Sequence, residues 1–301
     1  SAVRDVKVSE ERDLPALLGR LKNEGEAYFL TEYDGGNIDR MYFSFGDEVK
    51  FVDARYFDFA DFFISFCEGE WKKYTADTKS LYKYALKKDC AIKNIVADTE
   101  LIGYILNPSA NSYDVLRLSD EYGVAVPDIK EGEYNKEFAL SAACLKELCD
   151  VLLSKIKENG QEMLLGEIEL PLAEVLASME NIGFLVDKQG IESFGKTMSE
   201  RIEKLTEKIY EAVGFEFNLN SPKQLGAALF EKMGLPCKKK TKSGYSTNAE
   251  VLEELADEYP IVADILEYRT LAKLKSTYCE GLLKVIDDDG RIRSTLNQTE
   301  T

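Results

Sequence analysis

Between residues 218 and 276 the chain gathers side chains suited to holding the backbone of a nucleic acid. Asn218, Asn220, Ser221 and Lys223 cluster where Ser221-Pro222 predicts a helix start, and the free N–H groups and dipole of a helix N-terminus favour a phosphate. The same pair also makes an ordinary helix cap, so these residues alone leave both readings open. Next comes a basic, hydroxyl-rich stretch: Lys238, Lys239, Lys240, Thr241 and Lys242, with Ser243, Ser246 and Thr247. It suits straddling a duplex backbone, and its plain alternative is solvated surface. Further on, Arg269, Lys273 and Ser276 recur at i, i+4 and i+7 and so share one face of a helix, while Leu266, Leu271 and Leu274 can point elsewhere. Contacts of this kind need no base recognition; they neutralise and hydrogen-bond phosphates.

The bulk charge argues against such a partner at first sight. The 301 residues carry a net charge of −17, and affinity for DNA comes largely from Lys and Arg neutralising phosphates. Distribution matters more: Lys223, Lys232, Lys238, Lys239, Lys240 and Lys242 stand against the single acid Glu231 in that stretch, so a basic tip on an acidic body is expected. With no histidine and no CxxC pair, the six cysteines form no Cys/His metal site and read as reduced, cytoplasmic thiols. No apolar run approaches the ~18 residues of a membrane span, and the first residues lack a signal peptide's apolar core.

The elements that must position these residues fall into two regimes. Runs at 27–31, 41–45 and 49–53, separated by Asp34-Gly35-Gly36-Asn37 and Gly46-Asp47, predict a β-meander. Helical spacing at 57–67, 79–88 and 99–106, with strands near 73–76 and 91–97, completes an α/β unit with an antiparallel edge. From about residue 134 the pattern is helical: 135–158, 168–182, 188–213, 221–233, 248–259 and 260–285. Ile191, Phe194, Met198, Ile202, Leu205 and Ile209 form a stripe that should face Ile261, Ile265, Tyr268, Leu271, Leu274 and Tyr278, giving an antiparallel helix pair. The turn signal Asn159-Gly160 sets the expected boundary between domains 1–160 and 161–301.

Five ordered segments carry a resemblance. IELPLAEVLASMENIGFLVD (168–187), FNLNSPKQLGAALFEKMGLP (217–236), KKTKSGYSTNAEVLEELA (239–256), ILEYRTLAKLKSTY (265–278) and RIRSTLNQTET (291–301) resemble, in order and spacing, the thumb of Klenow-type bacterial DNA polymerases of family A. The resemblance implies a ribonuclease H-like 3′→5′ exonuclease domain followed by a helical thumb that grips primer-template duplex, in an enzyme of DNA replication and repair. It favours phosphate contact over capping at Ser221, and it adds Asn297 and Gln298 as residues near the duplex minor groove. Ser294 stands where the family often has histidine, so that role does not transfer. The family's catalytic aspartates lie in the palm and fingers beyond these segments, so residues 1–301 alone are expected not to synthesise DNA. Mg²⁺ is expected only for the full-length polymerase, in a bacterial cytoplasm and most simply as a monomer.

Active members of the family hold two metals on an Asp-x-Glu, an Asp on a following helix and an Asp after a Tyr on a late helix; such acids compensate the cations. Aligned here, Leu30 replaces the first Asp and Glu32 alone remains; Leu81 stands at the second position; Phe138–Cys149 contains no aspartate. Asp98 matches a family position and also reads as a helix N-cap. The expected role is therefore an inactive scaffold with no metal of its own. Two competitors remain: an exonuclease with displaced ligands drawn from Glu32, Asp34 and Asp77, and a helical interaction module without a nucleic-acid role.

Overall fold

Asp13 opens the first helix by accepting from the N–H of Ala16, and Gly25 closes it in the left-handed conformation, so the chain turns at once into the sheet. In this computed structural model residues 4–237 and 244–300 are described, with the backbone alone of 240–241. The elements of the first unit are β1 (Asp5–Glu10), α1 (Leu14–Glu24), β2 (Glu26–Asp34), β3 (Asn37–Phe45), β4 (Glu48–Asp53), α2 (Phe59–Glu68), β5 (Lys72–Thr75), α3 (Thr78–Lys87), β6 (Ile95–Asp98), α4 (Thr99–Leu106), α5 (Val115–Glu121), β7 (Asp128–Ile129), α6 (Lys136–Glu158) and α7 (Leu170–Ile182). A π-helical segment, Leu164–Glu169, leads into α7.

The sheet runs β6-β5-β2-β3-β4-β1-β7. The meander β2-β3-β4 is antiparallel and occupies the middle, with parallel partners on both sides. The antiparallel strands are thus central, where an edge was expected. Gly35 and Gly36, with φ of 55° and 78°, make the two-residue turn between β2 and β3, which needs positive φ at both positions. Because the flanking strands bring helices to both faces, side chains of both parities are buried. Phe29, Phe43, Phe63 and Phe66 fill the side beneath α1 and α2; Leu30, Tyr42, Leu145 and Leu152 fill the side beneath α6. Phe66 and Phe29 pack edge to face at a centroid distance of 4.8 Å, and each such buried ring contributes about 2–3 kcal/mol.

The compact units divide at Ile182/Gly183, and residues from Ser294 onward return to the first unit. The division expected near Asn159-Gly160 falls earlier than this because α7 packs along α3, where Lys79 and Lys83 donate to the buried carboxylate of Glu180 at 2.7 and 2.6 Å. Glu180 also accepts from the N–H of Leu296 at 2.8 Å, which anchors the returning tail.

The second unit contains β8 (Phe184–Leu185), α8 (Lys188–Val213), α9 (Pro222–Gly226), β9 (Lys240–Thr241), β10 (Gly244–Tyr245), α10 (Ala249–Ala256), α11 (Pro260–Leu274), α12 (Gly281–Lys284) and β11 (Arg291–Ile292), with π-helical segments at Ala227–Lys232 and Lys275–Glu280. Strand β11 pairs antiparallel with β8. Arg201 binds Glu267 and Lys208 binds Asp264, so α8 and α11 run antiparallel, as the stripes predict. Met198, Leu205, Ile209, Ile261, Ile265 and Tyr268 are buried, but Phe194 and Tyr278 are 58% and 57% exposed, so the stripe frays at one end. All six cysteines are free. Among the described residues no helix is long and apolar enough to cross a membrane.

Candidate nucleic-acid interface

A cleft of about 720 Å³ opens in the second unit between the start of α9, strand β10 and α11. Its lining includes Asn220, Ser221, Lys223, Tyr245, Ser246, Thr247, Asn248 and Arg269, and among the described residues contains no acid. Ser221 is the N-cap of α9, its Oγ accepting from the N–H of Gln224 at 3.4 Å, so the capping reading holds for that hydroxyl. Around it the loop is folded on itself: Asn218 Oδ1 accepts from the N–H of Asn220 at 2.9 Å, and Gln224 Oε1 accepts from the N–H of Asn218 at 2.8 Å.

The opposite wall is set by Arg269. Its Nη1 donates to the carbonyl of Thr247 and its Nη2 to Thr247 Oγ1 at 3.2 Å. Burial lowers its pKa from the ordinary guanidinium value, but the group stays charged. Neither Arg269 nor Lys223 has a carboxylate partner among the described residues. Asn248 caps α10, its Oδ1 accepting from the N–H of Val251 at 3.1 Å. Gly226 lets β10 approach α9: a Cβ there would stand 3.1 Å from that of Tyr245.

The structure therefore brings together Asn220, Ser221, Lys223, Ser246, Thr247 and Arg269. Lys273 and Ser276 are exposed and do not line this cleft; Ser276 lies in the π-helical segment, whose wider turn takes it off the register assumed for an uninterrupted α-helix. Lys238, Lys239 and Lys242 and the side chains of Lys240 and Thr241 lie outside the described residues. Asn297 and Gln298 sit on the tail of the first unit. Asn297 donates to Glu300 at 2.7 Å, and Gln298 donates to the carbonyl and carboxylate of Glu169 at 2.8 and 3.0 Å. Tyr245 and Asn248 complete the cleft without having been singled out for it. Tyr245 needed the strand pairing to be placed.

In the first unit, Glu32 is spoken for by neutral donors. Tyr42 Oη donates to Oε2 at 2.9 Å and Asn135 Nδ2 to Oε1 at 2.7 Å. Leu30 and Leu81 are 5% and 1% exposed, in different hydrophobic clusters, and Ala142 and Ala143 of α6 are buried. A cleft of about 200 Å³ beside Leu30 is lined by Asp77, Glu100, Asp114 and Glu137 among others. Asp77 caps α3, and Asp98 is buried, accepting from Thr78 N and Oγ1 at 2.7 and 2.6 Å and from Glu100 N at 2.9 Å, so the N-cap reading of Asp98 holds. Burial, reinforced by the charges of Asp98, Asp77 and Asp114, pushes the Glu100 carboxyl up to about 9. Among the described residues no group of three or more acids or thiols is placed to hold a metal. Two buried leucines, with a single remaining carboxylate that already accepts from two neutral donors, do not fit a two-metal centre.

The fold defines a ribonuclease H-like domain followed by a helical module. Residues 30–157 match the family described as DNA polymerase I, ribonuclease H-like domain, and residues 188–301 match DNA polymerase family A. DNA polymerase I of Bacillus subtilis (strain 168) is 40% identical over 247 residues, covering 77% of this chain and 28% of the relative. DNA polymerase I of Lactococcus lactis subsp. lactis (strain IL1403) is 51% identical over 150 residues, covering 50% of this chain and 17% of the relative. Among solved structures, the POL domain of Pol1 from M. smegmatis, in complex with DNA primer-template and dNTP, superposes with a TM-score of 0.79 at 25% identity, covering 98% of this chain and 53% of that one. The chain belongs to the family A DNA polymerases. It spans less than a third of the length of the curated relatives it matches.

Proposed function

We propose that this chain serves a DNA-directed DNA polymerase I of replication and repair, by gripping the backbone of primer-template duplex with the cleft between α9, β10 and α11. The observation that carries the reading is an acid-free cleft bearing Lys223 and Arg269 on a chain of net charge −17. Such a cleft attracts phosphates while the acidic remainder repels them, so contact is confined to one face. Arg269, held by Thr247, presents a fixed guanidinium, and Lys223 adds a mobile ammonium. Asn220 and Ser246 supply neutral hydrogen bonds that position a strand without reading sequence. Lys238–Lys242, Lys273 and Ser276 extend this contact in the same reading, and Asn297 and Gln298 of the first unit also meet the duplex. The protein works as a cytoplasmic, nucleoid-associated monomer.

The ribonuclease H-like domain is in this reading a catalytically silent scaffold. Polymerases of the family use Mg²⁺, and no residue of this chain is assigned to it. The test is duplex binding by the double variant Lys239→Glu, Lys240→Glu. It should bind any duplex sequence more weakly than the wild type, and unchanged affinity at low salt would overturn the assignment.

A further inference from the structure

Strand β1 is paired along its length on one side only. Toward β4 its register runs from Lys7 opposite Glu48 to Glu10 opposite Phe51, with Lys7 N donating to Asp47 O at 2.9 Å and Glu11 N to Phe51 O at 2.8 Å. Toward β7 only Asp5 and Val6 are covered, opposite Asp128 and Ile129. Since alternate residues of a strand bond to alternate sides, the N–H groups of Val8 and Glu10 point away from β4, and among the described residues neither finds a backbone or side-chain acceptor. They open on a groove of about 770 Å³, whose opposite wall is the segment 129–134 leaving β7. Ser9, in the same lining, has a buried hydroxyl with no partner. An extended chain laid in this groove would meet free N–H groups at the spacing of a sheet partner.

The charge of the groove selects the occupant. Its lining holds six acids and two lysines, and Asp5, Asp128 and Glu133 have no cationic partner among the described residues. Val8, Phe51 and Tyr134 add apolar surface to its floor and walls. From this geometry we infer that the β1 edge is a docking site for an extended peptide of a partner protein in which lysine or arginine alternates with apolar residues. The peptide adds as a strand beside Val8–Glu10, its main chain bonding the free N–H groups and its cations facing the acidic rim. Nucleic acid is disfavoured by the same acids.

The test uses the intact chain and a labelled heptapeptide alternating lysine and valine, followed by fluorescence anisotropy at low salt. Saturable binding is expected, weakened at least about tenfold when glutamate replaces lysine and again when alternate peptide nitrogens are methylated, which removes strand pairing without touching the protein. Val8→Pro, which deletes an N–H on the unpaired side of an edge, should weaken binding by a similar factor with unchanged thermal unfolding. Equal binding of the glutamate peptide, or indifference to N-methylation, overturns the proposal. So does a Val8-dependent self-association in sedimentation, which would make a second copy of the chain the occupant.

Discussion

Lys73 should make the ribonuclease H-like unit more stable in mild alkali, and its removal should abolish that gain. The residue lies in β5, is 0% exposed, and donates from Nζ to the carbonyls of Gly69 and Lys93 at 2.8 Å and of Trp71 at 3.3 Å, with no carboxylate partner among the described residues. Burial brings its pKa down to about 8 from 10.5, a fall worth about 3 kcal/mol. The three carbonyls and the rings of Trp71 and Phe66, 5.3 and 5.6 Å away, favour the ammonium, so about 3 kcal/mol is an upper bound on the burden. Between about pH 8 and 10.5 the unfolded chain holds more protons at this lysine than the folded one, so its contribution to stability rises with pH across that window; below pH 8 the folded state carries the full burden. Lys73→Met keeps the stem and removes the charge, but strands three carbonyls at roughly 1.5–2 kcal/mol each, against the burden of about 3 kcal/mol that it relieves. The net expectation at pH 7 is a loss of about 1–3 kcal/mol, roughly 3–8 °C in Tm. Urea unfolding of both proteins from pH 7 to 10.5 should show the wild type pulling further ahead as pH rises. A Met variant as stable as the wild type at pH 7, or a gap that does not widen, would refute this reasoning.

Other outcomes follow from the same geometry. Glu180→Gln leaves Lys79 and Lys83 facing a neutral amide and should cost about 2–3 kcal/mol, less than a fully buried pair because Lys83 is partly exposed. Burial alone would raise the Glu180 carboxyl, but Lys79, Lys83 and the Leu296 N–H hold it below the ordinary value. Wild-type stability from this group is therefore present above the ordinary glutamate range and lost as pH falls through the depressed pKa, and the Gln variant should lack that loss in acid unfolding. Gly226→Val should push β10 off α9 and weaken duplex binding more than it lowers Tm, read by anisotropy beside calorimetry. A 5′-labelled single strand should survive incubation with the chain in Mg²⁺ or Mn²⁺; digestion abolished by Glu32→Ala would restore the displaced-ligand exonuclease.

Long periodic elements were legible from the sequence, and short or non-local ones were not. The helix expected at 188–213 is Lys188–Val213, because five to six turns of apolar spacing and Gly214 leave little choice of ends. Helix α1 and strand β1 went unread: LPALLGRLKNE is only 11 residues long, so its Asp13 cap and Pro15 had little apolar spacing behind them, and DVKVSE offers only two apolar residues. The central placement of the meander depends on β1 and β5 pairing outside it, which no local pattern encodes. The π-helical segment after Leu274 hides from a period of 3.6 and removes Ser276 from the expected face. In the cleft, Lys223, Ser246, Thr247 and Arg269 were found by resemblance and residue chemistry, whereas Tyr245 needed the tertiary approach that Gly226 permits.

The grip on DNA is tested most directly by the salt dependence of duplex binding, with wild type and Arg269→Ala measured side by side between 50 and 200 mM salt. The account predicts that log K falls linearly with log salt for any duplex sequence, and that losing one phosphate contact flattens the slope by about one while folding is retained. Binding that is absent at low salt, or insensitive to salt and to Arg269, would contradict it.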